Sequence, residues 1–182
     1  MYVEALRKVP ARREDGAVNV LVETPTGSRD KFDLDHDSGL FTWSLQLPLG
    51  STFPFSFGFV PNTLAEDGDP LDIILLVDGC MPQGVVVQSR LIGVLPVTQD
   101  DAGDGELGTR NDRILAVPTM AQSFGDAHDI GDLRTGLYEE IGAFFASYNR
   151  LISRKFEYGD PLGADEACRR LDEAIDRFRR QD

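Results

Sequence analysis

The stretch EDGDPLDIILLVDG, residues 66–79, limits the possible folds more than any other part of the sequence. Gly68 and Pro70 are turn residues, because glycine adopts backbone angles closed to other residues and proline fixes one of them. In the apolar run 73–77 successive side chains point to opposite faces of a strand, so both faces are apolar. The pattern predicts a stiff turn, rich in carboxylates, at the rim of a buried strand.

Segments typical of strands recur on both sides of this turn. They are short, apolar or alternating, and bounded by Gly, Pro or Asp. They cover residues 17–24, 29–35, 73–77, 85–95 and 113–117. Several closely spaced strands with little helix between them favour a small barrel.

The C-terminal third of the chain changes to a helical period. Apolar residues recur at steps of three and four between 133 and 152, which predicts a helix with one apolar face. A second helix is predicted over residues 164–180, which are acidic near the start and basic at the end. No linker-like or low-complexity stretch interrupts the sequence. We therefore expect one domain over residues 1–182, mainly β with α, with helices flanking the barrel.

The net charge of −13 argues against nucleic-acid binding, which needs a cationic surface. It leaves room for a small phosphate substrate if metal ions neutralise both parties. No apolar run reaches the length of a membrane span, and the N-terminus lacks the apolar stretch of a signal peptide. Cys80 and Cys168 lack CxxC spacing and are expected to be reduced thiols of a cytoplasmic protein.

Three aspartates, Asp67, Asp69 and Asp72, crowd the turn. Hard carboxylate oxygens on a rigid turn suit Mg²⁺ or Mn²⁺, and a polar turn with Asp72 capped by backbone donors is the alternative. A calcium loop is excluded, since Leu71 stands where a ligand is needed and Asp72 where glycine is needed. The same Gly-Asp-Pro-Leu sequence at 159–162 lacks the other aspartates and is predicted to be only a turn leading into a helix.

Two histidines, His36 and His128, have no short ligand spacing. They are expected to be surface residues, and a zinc site is not expected.

The segment FGFVPNTLAEDGDPLDIILLV closely resembles the signature of the soluble inorganic pyrophosphatases. The resemblance runs from about residue 18 to about 156 and includes VETP, KFDLD, IGVLPVT, RILAVP and AFFASYN. It implies a five-stranded OB-type closed barrel with flanking helices. It also implies hydrolysis of inorganic pyrophosphate with Mg²⁺, or with Mn²⁺, and a homo-oligomer, commonly a hexamer in bacterial members.

The resemblance also implies roles for the acidic residues. Asp67 and Asp72 would hold the first pair of metal ions, and Asp69 would take a proton from the attacking water. Glu23, in the VETP match, would bind a further metal with its waters.

Other matches concern the substrate phosphates. Lys31 resembles the phosphate-binding lysine of the family, and Asp33 replaces its usual glutamate. Arg113 keeps a positive charge at the position of a family lysine. Tyr148 would point its hydroxyl at phosphate, although a packing role is the alternative from the residues alone.

Several departures from the family pattern remove cationic or polar groups. The family places a substrate-binding arginine after the lysine strand, but no Lys or Arg stands between residues 32 and 89. Trp43 and Ser44 lie near the expected place of that arginine. Phe57 replaces a tyrosine, and Asn149 replaces a lysine.

The second acidic segment also departs from the pattern. Gln99 and Asn111 stand where the family has metal-binding aspartates, and Asp100 and Asp112 lie one residue away. A one-residue shift in a strand turns a side chain to the opposite face, so Asp112 could serve only if a bulge redirected it. Asn111, Asp100 and Asp112 therefore remain the candidates for these ligand positions.

Two functional interpretations follow. In the first, the chain is a divergent metal-dependent pyrophosphatase, with reduced activity as one consequence of its substitutions. In the second, it is a catalytically impaired binding or regulatory protein, or a hydrolase of another phosphoanhydride. Glu23, Lys31 and the intact aspartate turn favour the first, which is our hypothesis. An OB-fold nucleic-acid binder is a more distant alternative, because the basic groove it needs is missing.

Overall fold

The computed structural model describes residues 2–99 and 108–181. The helices of this part of the chain are α1 (Tyr2–Leu6), α2 (Leu137–Leu151) and α3 (Ala164–Gln181), with a 3-10 turn at Ile130–Asp132. The strands are β1 (Val18–Thr24), β2 (Asp30–Asp35), β3 (Leu40–Gln46), β4 (Ser56–Phe59), β5 (Asp72–Leu75), β6 (Val86–Leu95), β7 (Val97–Gln99), β8 (Thr109–Arg110), β9 (Arg113–Pro118), β10 (Phe156–Tyr158) and β11 (Leu162–Gly163).

Five strands close into a barrel in the order β1-β4-β5-β9-β6, and β6 pairs with β1 to complete it. The β5–β9 pair is parallel, and the other four pairs are antiparallel. The hairpin β2–β3 and the small sheet β10-β7-β8 stand beside the barrel. The predicted barrel with C-terminal helices is therefore confirmed.

Both faces of the central strands are buried, as the apolar run after the turn predicts. One face, which includes Ile74 and Leu115, packs against residues of α2 such as Ile141. The opposite face, which includes Ile73, packs against residues of α3 such as Leu171. Burying large aliphatic side chains on both faces stabilises the barrel by roughly 1.5–3 kcal/mol for each of them. Asp72, at the start of β5, is held at the rim of this core.

Gly58 in β4 marks the tightest backbone approach in the barrel wall. A Cβ atom at this position would lie 1.9 Å from the carbonyl oxygen of Leu21 in β1. Only glycine fits there, because any side chain would push β4 away from β1, the strand that carries Glu23.

The helices depart from the predicted bounds at one end. The apolar period begins at residue 133, but α2 begins at Leu137, because Gly136 adopts a left-handed conformation with φ 84°. A helix follows the second Gly-Asp-Pro-Leu copy as predicted, but the copy ends in the short strand β11, which leads into α3, and is not itself a turn. The backbone N–H of Ala164, at the start of α3, donates to Asp129 Oδ2 at 2.8 Å. Within the described residues, no helix is long and apolar enough to cross a bilayer.

Candidate active site

A cavity of about 470 Å³ opens where the barrel, the β2–β3 hairpin and the end of α2 meet. Its lining is strongly polar and gathers both signs of charge. The charged side chains include Glu23, Lys31, Asp33, Asp69, Asp72, Arg113 and Arg154. Gln99, Asn111 and Tyr148 also line it. The structure therefore brings together most of the residues selected from the sequence.

Local hydrogen bonds hold the acidic turn in shape. The Ala65 N–H donates to the carbonyl oxygen of Asp69 at 2.7 Å, and Gly68 between them has φ 94°. Asp67 Oδ1 accepts from the Asp69 N–H at 3.1 Å. The side chain of Asp69 stays exposed at the cavity, whereas Asp67 is half-buried and does not line it.

Two carboxylates of this segment are held in unfavourable surroundings for negative charge. Burial raises the pKa of Asp67 to about 6, opposed by its bond from the Asp69 N–H and reinforced by the charge of Asp72. Burial also raises the pKa of Asp72, although Arg113 and Lys31 act in the opposite direction. A cation bound at this turn would stabilise the charged form of both carboxylates and so offset the effect of their burial.

Glu23 is the most deeply buried carboxylate of the cavity, with a relative exposure of 6%. Its Oε1 accepts a hydrogen bond from the Leu34 N–H at 2.7 Å. Burial raises its pKa to about 8, and the neighbouring Asp33 adds to the rise. Burial therefore favours the protonated, neutral form of this carboxyl group in the metal-free protein.

Two cations of the cavity are each paired with one of its acids. Lys31 Nζ forms an ion pair with Asp33, and Arg113 Nη1 lies 2.8 Å from Asp72 Oδ2. Both cationic groups lie over the Phe57 ring, 5.8 and 5.7 Å from its centroid. Burial alone would lower the pKa of Lys31, but Asp33 raises it above the ordinary value, so this lysine remains charged.

Arg113 also reaches the second acidic segment. Its Nη1 donates to the carbonyl oxygen of Asn111 at 2.6 Å and to the Asn111 side-chain oxygen. Its Nη2 lies 3.4 Å from Gln99 Oε1. Asn111 thus lines the cavity as a neutral acceptor for Arg113.

The structure does not bring Asp112 to the cavity. Asp112 is buried on the other side of the chain, where Oδ1 accepts from the Val97 N–H at 3.1 Å. Its Oδ2 lies 2.8 Å from Arg110 Nη2 and 3.5 Å from Arg170 Nη1. The opposite orientations of Asn111 and Asp112 follow the alternation of an extended chain. Asp100 lies outside the described residues.

Tyr148 is 7% exposed and has two kinds of neighbour. Its ring packs 5.5–6.3 Å from the rings of Phe53, Phe144 and Phe145, and the residue also lines the cavity. Tyr148 can therefore both pack in the core and contact a substrate in the cavity.

Two cationic or titratable cavity residues were not among the site residues assigned from the sequence. His36 is exposed, as expected, yet it also lines the cavity beside Phe59. Arg154 lines it from the segment after α2, and no periodicity or motif spacing marks that position. Its place in the cavity follows from the way the chain turns after α2.

The protein is a closed five-stranded barrel with one polar cavity, in which an acidic turn lies close to a lysine and an arginine. The sequence model of the family described as "Inorganic pyrophosphatase" matches residues 20–179. A Synechocystis inorganic pyrophosphatase is 37% identical over 152 residues, covering 84% of this chain and 86% of the relative. The chain belongs to the inorganic pyrophosphatase family and resembles its bacterial members.

Solved structures agree with this assignment. The crystal structure of inorganic pyrophosphatase from Thermus thermophilus has a TM-score of 0.85 at 29% identity, covering 96% of this chain and 98% of that one. The Helicobacter pylori inorganic pyrophosphatase has a TM-score of 0.84 at 28% identity, covering 94% and 99%. The likeness therefore extends over the whole barrel and both C-terminal helices.

The burial of Glu23 predicts a pH-dependent stability of the metal-free protein. The folded state binds a proton at Glu23 up to a pKa of about 8, whereas an ordinary glutamate releases it near 4.5. Since the folded state then holds more protons, its free energy of unfolding should fall as the pH rises between these values. Urea denaturation in EDTA at several pH values measures this slope.

The matched variants are Glu23→Gln and Glu139→Gln, the latter at an exposed position of α2. Glu23→Gln should flatten the slope, because glutamine keeps an acceptor for the Leu34 N–H but does not titrate. Glu139→Gln should keep the wild-type slope. An unchanged slope in Glu23→Gln would contradict the assignment of this proton to Glu23.

Proposed function

We propose that this chain hydrolyses inorganic pyrophosphate to two phosphates in the cavity described above, with Mg²⁺, or Mn²⁺, as the cofactor. The observation that carries the proposal is the meeting of the acidic turn, Lys31 and Arg113 in one cavity of a chain from this family. Carboxylates there suit hard cations, and the lysine and arginine suit phosphate oxygens.

The acidic residues fit a divalent cation of this kind. Asp67 and Asp72 would hold it, with Glu23 and Asp33 as further carboxylates for additional ions. Among the described residues, no group of three or more His, Cys, Asp or Glu side chains is arranged to hold a metal ion. Mg²⁺ usually keeps several waters and is bound through one or two carboxylates. Such an ion, when bound, lowers the pKa of a coordinated water and offsets phosphate charge.

Asp69 has the position required of the proton acceptor. Its carboxylate is exposed to the cavity, while its backbone is fixed on both sides by the turn. It would accept the proton of the water that attacks one phosphorus. The bond from that phosphorus to the bridging oxygen breaks, and two phosphates result.

Lys31, Arg113 and Tyr148 would contact the phosphates. Lys31 and Arg113 both lie over the ring of Phe57 and are held by their carboxylate partners, so their charged groups are positioned before substrate arrives. Arg113 is paired with Asp72, so a metal ion bound by Asp72 would compete with Arg113 for this carboxylate. We propose that phosphate draws Arg113 away from Asp72 as the metal is bound.

The second acidic segment would supply less charge than in most of the family. Asn111 offers an oxygen to a metal but no negative charge, and it is engaged by Arg113. Asp100 remains a proposed ligand. Asp112, held by two arginines, would reach the cavity only after rearrangement. We also propose, from the resemblance, a cytoplasmic homo-oligomer, a hexamer as in bacterial members, that binds neither nucleic acid nor membrane.

A substrate panel tests the proposal against its alternatives. Phosphate release should be fastest from pyrophosphate and slow from tripolyphosphate and ATP at matched Mg²⁺. Faster release from a longer phosphoanhydride would favour the other hydrolase. Tight binding of pyrophosphate without any release would favour the impaired binding protein.

Removing one carboxylate of the turn tests the metal assignment. Asp67→Asn should weaken Mg²⁺ binding by roughly tenfold or more, the loss typical of residues that support a metal site. The amide keeps the acceptor for the Asp69 N–H but loses the negative charge. Isothermal titration calorimetry of Mg²⁺ into metal-free protein measures the change.

The chain contains its own control for this variant. Asp160 occupies the same Gly-Asp-Pro-Leu context at 159–162, on the exposed segment before α3. Asp160→Asn should leave Mg²⁺ affinity unchanged. Equal affinities in the wild type and Asp67→Asn would remove Asp67 from the metal site.

A further inference from the structure

The cations of the cavity differ in how far they are already neutralised. Lys31 is paired with Asp33, and Arg113 with Asp72. Arg154 also lines the cavity, and its guanidinium has no hydrogen bond or ion pair within the described residues. A phosphate that enters the cavity could therefore bind Arg154 without first breaking an ion pair.

The end of α2 fixes the backbone from which Arg154 extends. The N–H of Ile152 donates to the carbonyl oxygen of Tyr148 at 3.1 Å, and Ser153 then turns with φ 62°. The Arg154 N–H returns to the carbonyl oxygen of Asn149 at 2.9 Å. A left-handed residue after the helix, closed by this bond, sends the chain back toward the cavity. Arg154 thereby shares a wall of the cavity with Tyr148.

The neighbouring side chain supplies no charge to this wall. Asn149 is buried and lines the cavity, and its Nδ2 donates to the carbonyl oxygen of Phe145 at 2.8 Å. A phosphate at this end of the cavity would therefore find its cationic partner in Arg154. A guanidinium offers parallel donors that match two phosphate oxygens.

We infer that Arg154 is a substrate-binding residue that contacts the outer phosphate of pyrophosphate at the mouth of the cavity. The inference rests on the proposed function for the identity of the substrate. It adds the segment after α2 to the site, beside the acidic turn and the strand β2 that carries Lys31. Since Arg154 is exposed before binding, it acts on affinity more than on the chemical step.

Steady-state kinetics of three variants tests this assignment. Arg154→Gln should raise the KM for pyrophosphate roughly tenfold, the loss expected for one charged hydrogen-bonded contact. Its kcat should change much less. Arg154→Lys should give an intermediate KM, because lysine restores the charge without the paired donors. Arg150→Gln makes the same change of charge on the exposed end of α2, away from the cavity lining, and should match the wild type.

Binding of methylenediphosphonate, which is not hydrolysed, separates this inference from the proposed function. Calorimetry in Mg²⁺ should show weaker binding in Arg154→Gln and unchanged binding in Arg150→Gln. A wild type that binds the analogue through Arg154 but releases no phosphate would refute the hydrolase and keep the anion contact. Wild-type affinity in Arg154→Gln, or an equal loss in Arg150→Gln, would overturn the assignment.

Discussion

Replacement of Asp69 by asparagine is expected to lower kcat for pyrophosphate hydrolysis by roughly 10²–10⁴-fold, the contribution typical of a positioned general base. The carboxylate of Asp69 is exposed to the cavity and has no side-chain partner within the described residues. An amide of the same shape cannot take the proton from the attacking water. Because the turn is held by the backbone of Asp69 and the side chain of Asp67, and not by the side chain of Asp69, the fold should be unaffected.

Two further measurements isolate the chemical step in this variant. Thermal unfolding and Mg²⁺ calorimetry should both stay close to the wild type, since the substitution leaves Asp67 and Asp72 in place. Asp78→Asn, at an exposed position just after the β5 segment, serves as the control and should keep full kcat. A kcat of Asp69→Asn within a few fold of the wild type would assign the proton to another group.

The substitutions Asn111→Asp and Asp112→Asn should affect different properties of the protein, although the two residues are adjacent. Asn111→Asp adds a negative ligand at the cavity, so it should strengthen Mg²⁺ binding and raise kcat if this ligand limits the rate. Asp112→Asn removes a buried carboxylate that Arg110 and Arg170 share, and should lower the free energy of unfolding by roughly 1–3 kcal/mol, because each arginine keeps a second carboxylate partner. Activity per folded molecule should persist in the latter.

The comparison uses pyrophosphate hydrolysis at matched Mg²⁺ together with urea denaturation of both variants. Gln99→Asp combined with Asn111→Asp should act non-additively, because both side chains contact Arg113 and would share an ion. Loss of activity in a folded Asp112→Asn, with no gain in Asn111→Asp, would show that Asp112 moves to the cavity and supplies the ligand itself.

The barrel could be predicted because its signals are local. The β-branched segments that became β1, β6 and β9 are apolar over most of their length, and the turn before β5 carries glycine and proline at fixed positions. The strand β3 was not predicted, because it lies on an exposed hairpin, where side chains such as Trp43 carry no burial pattern. The start of α2 was placed too early, since periodicity does not register the left-handed Gly136.

The site was predictable only where residues lie close together in the sequence. The spacing of Asp67, Asp69 and Asp72 suggested a metal turn, and strand alternation predicted opposite faces for Asn111 and Asp112. The pairing of Arg113 with Asp72 joins residues of β5 and β9, and only the parallel register of these strands reveals it. Arg154 reaches the cavity through the packing of α2, which no short-range pattern encodes.

Phosphate release from pyrophosphate by the wild-type chain, with Mg²⁺ titrated into protein first treated with EDTA, tests the central claim most directly. We expect no release in EDTA, two phosphates for each pyrophosphate consumed, and a rate that rises with Mg²⁺. Since Lys31 and Arg113 are partly neutralised by their own carboxylates, the rate should continue to rise at high Mg²⁺. Release that is unaffected by EDTA, or no release at any concentration of Mg²⁺ or Mn²⁺, would contradict a metal-dependent pyrophosphatase.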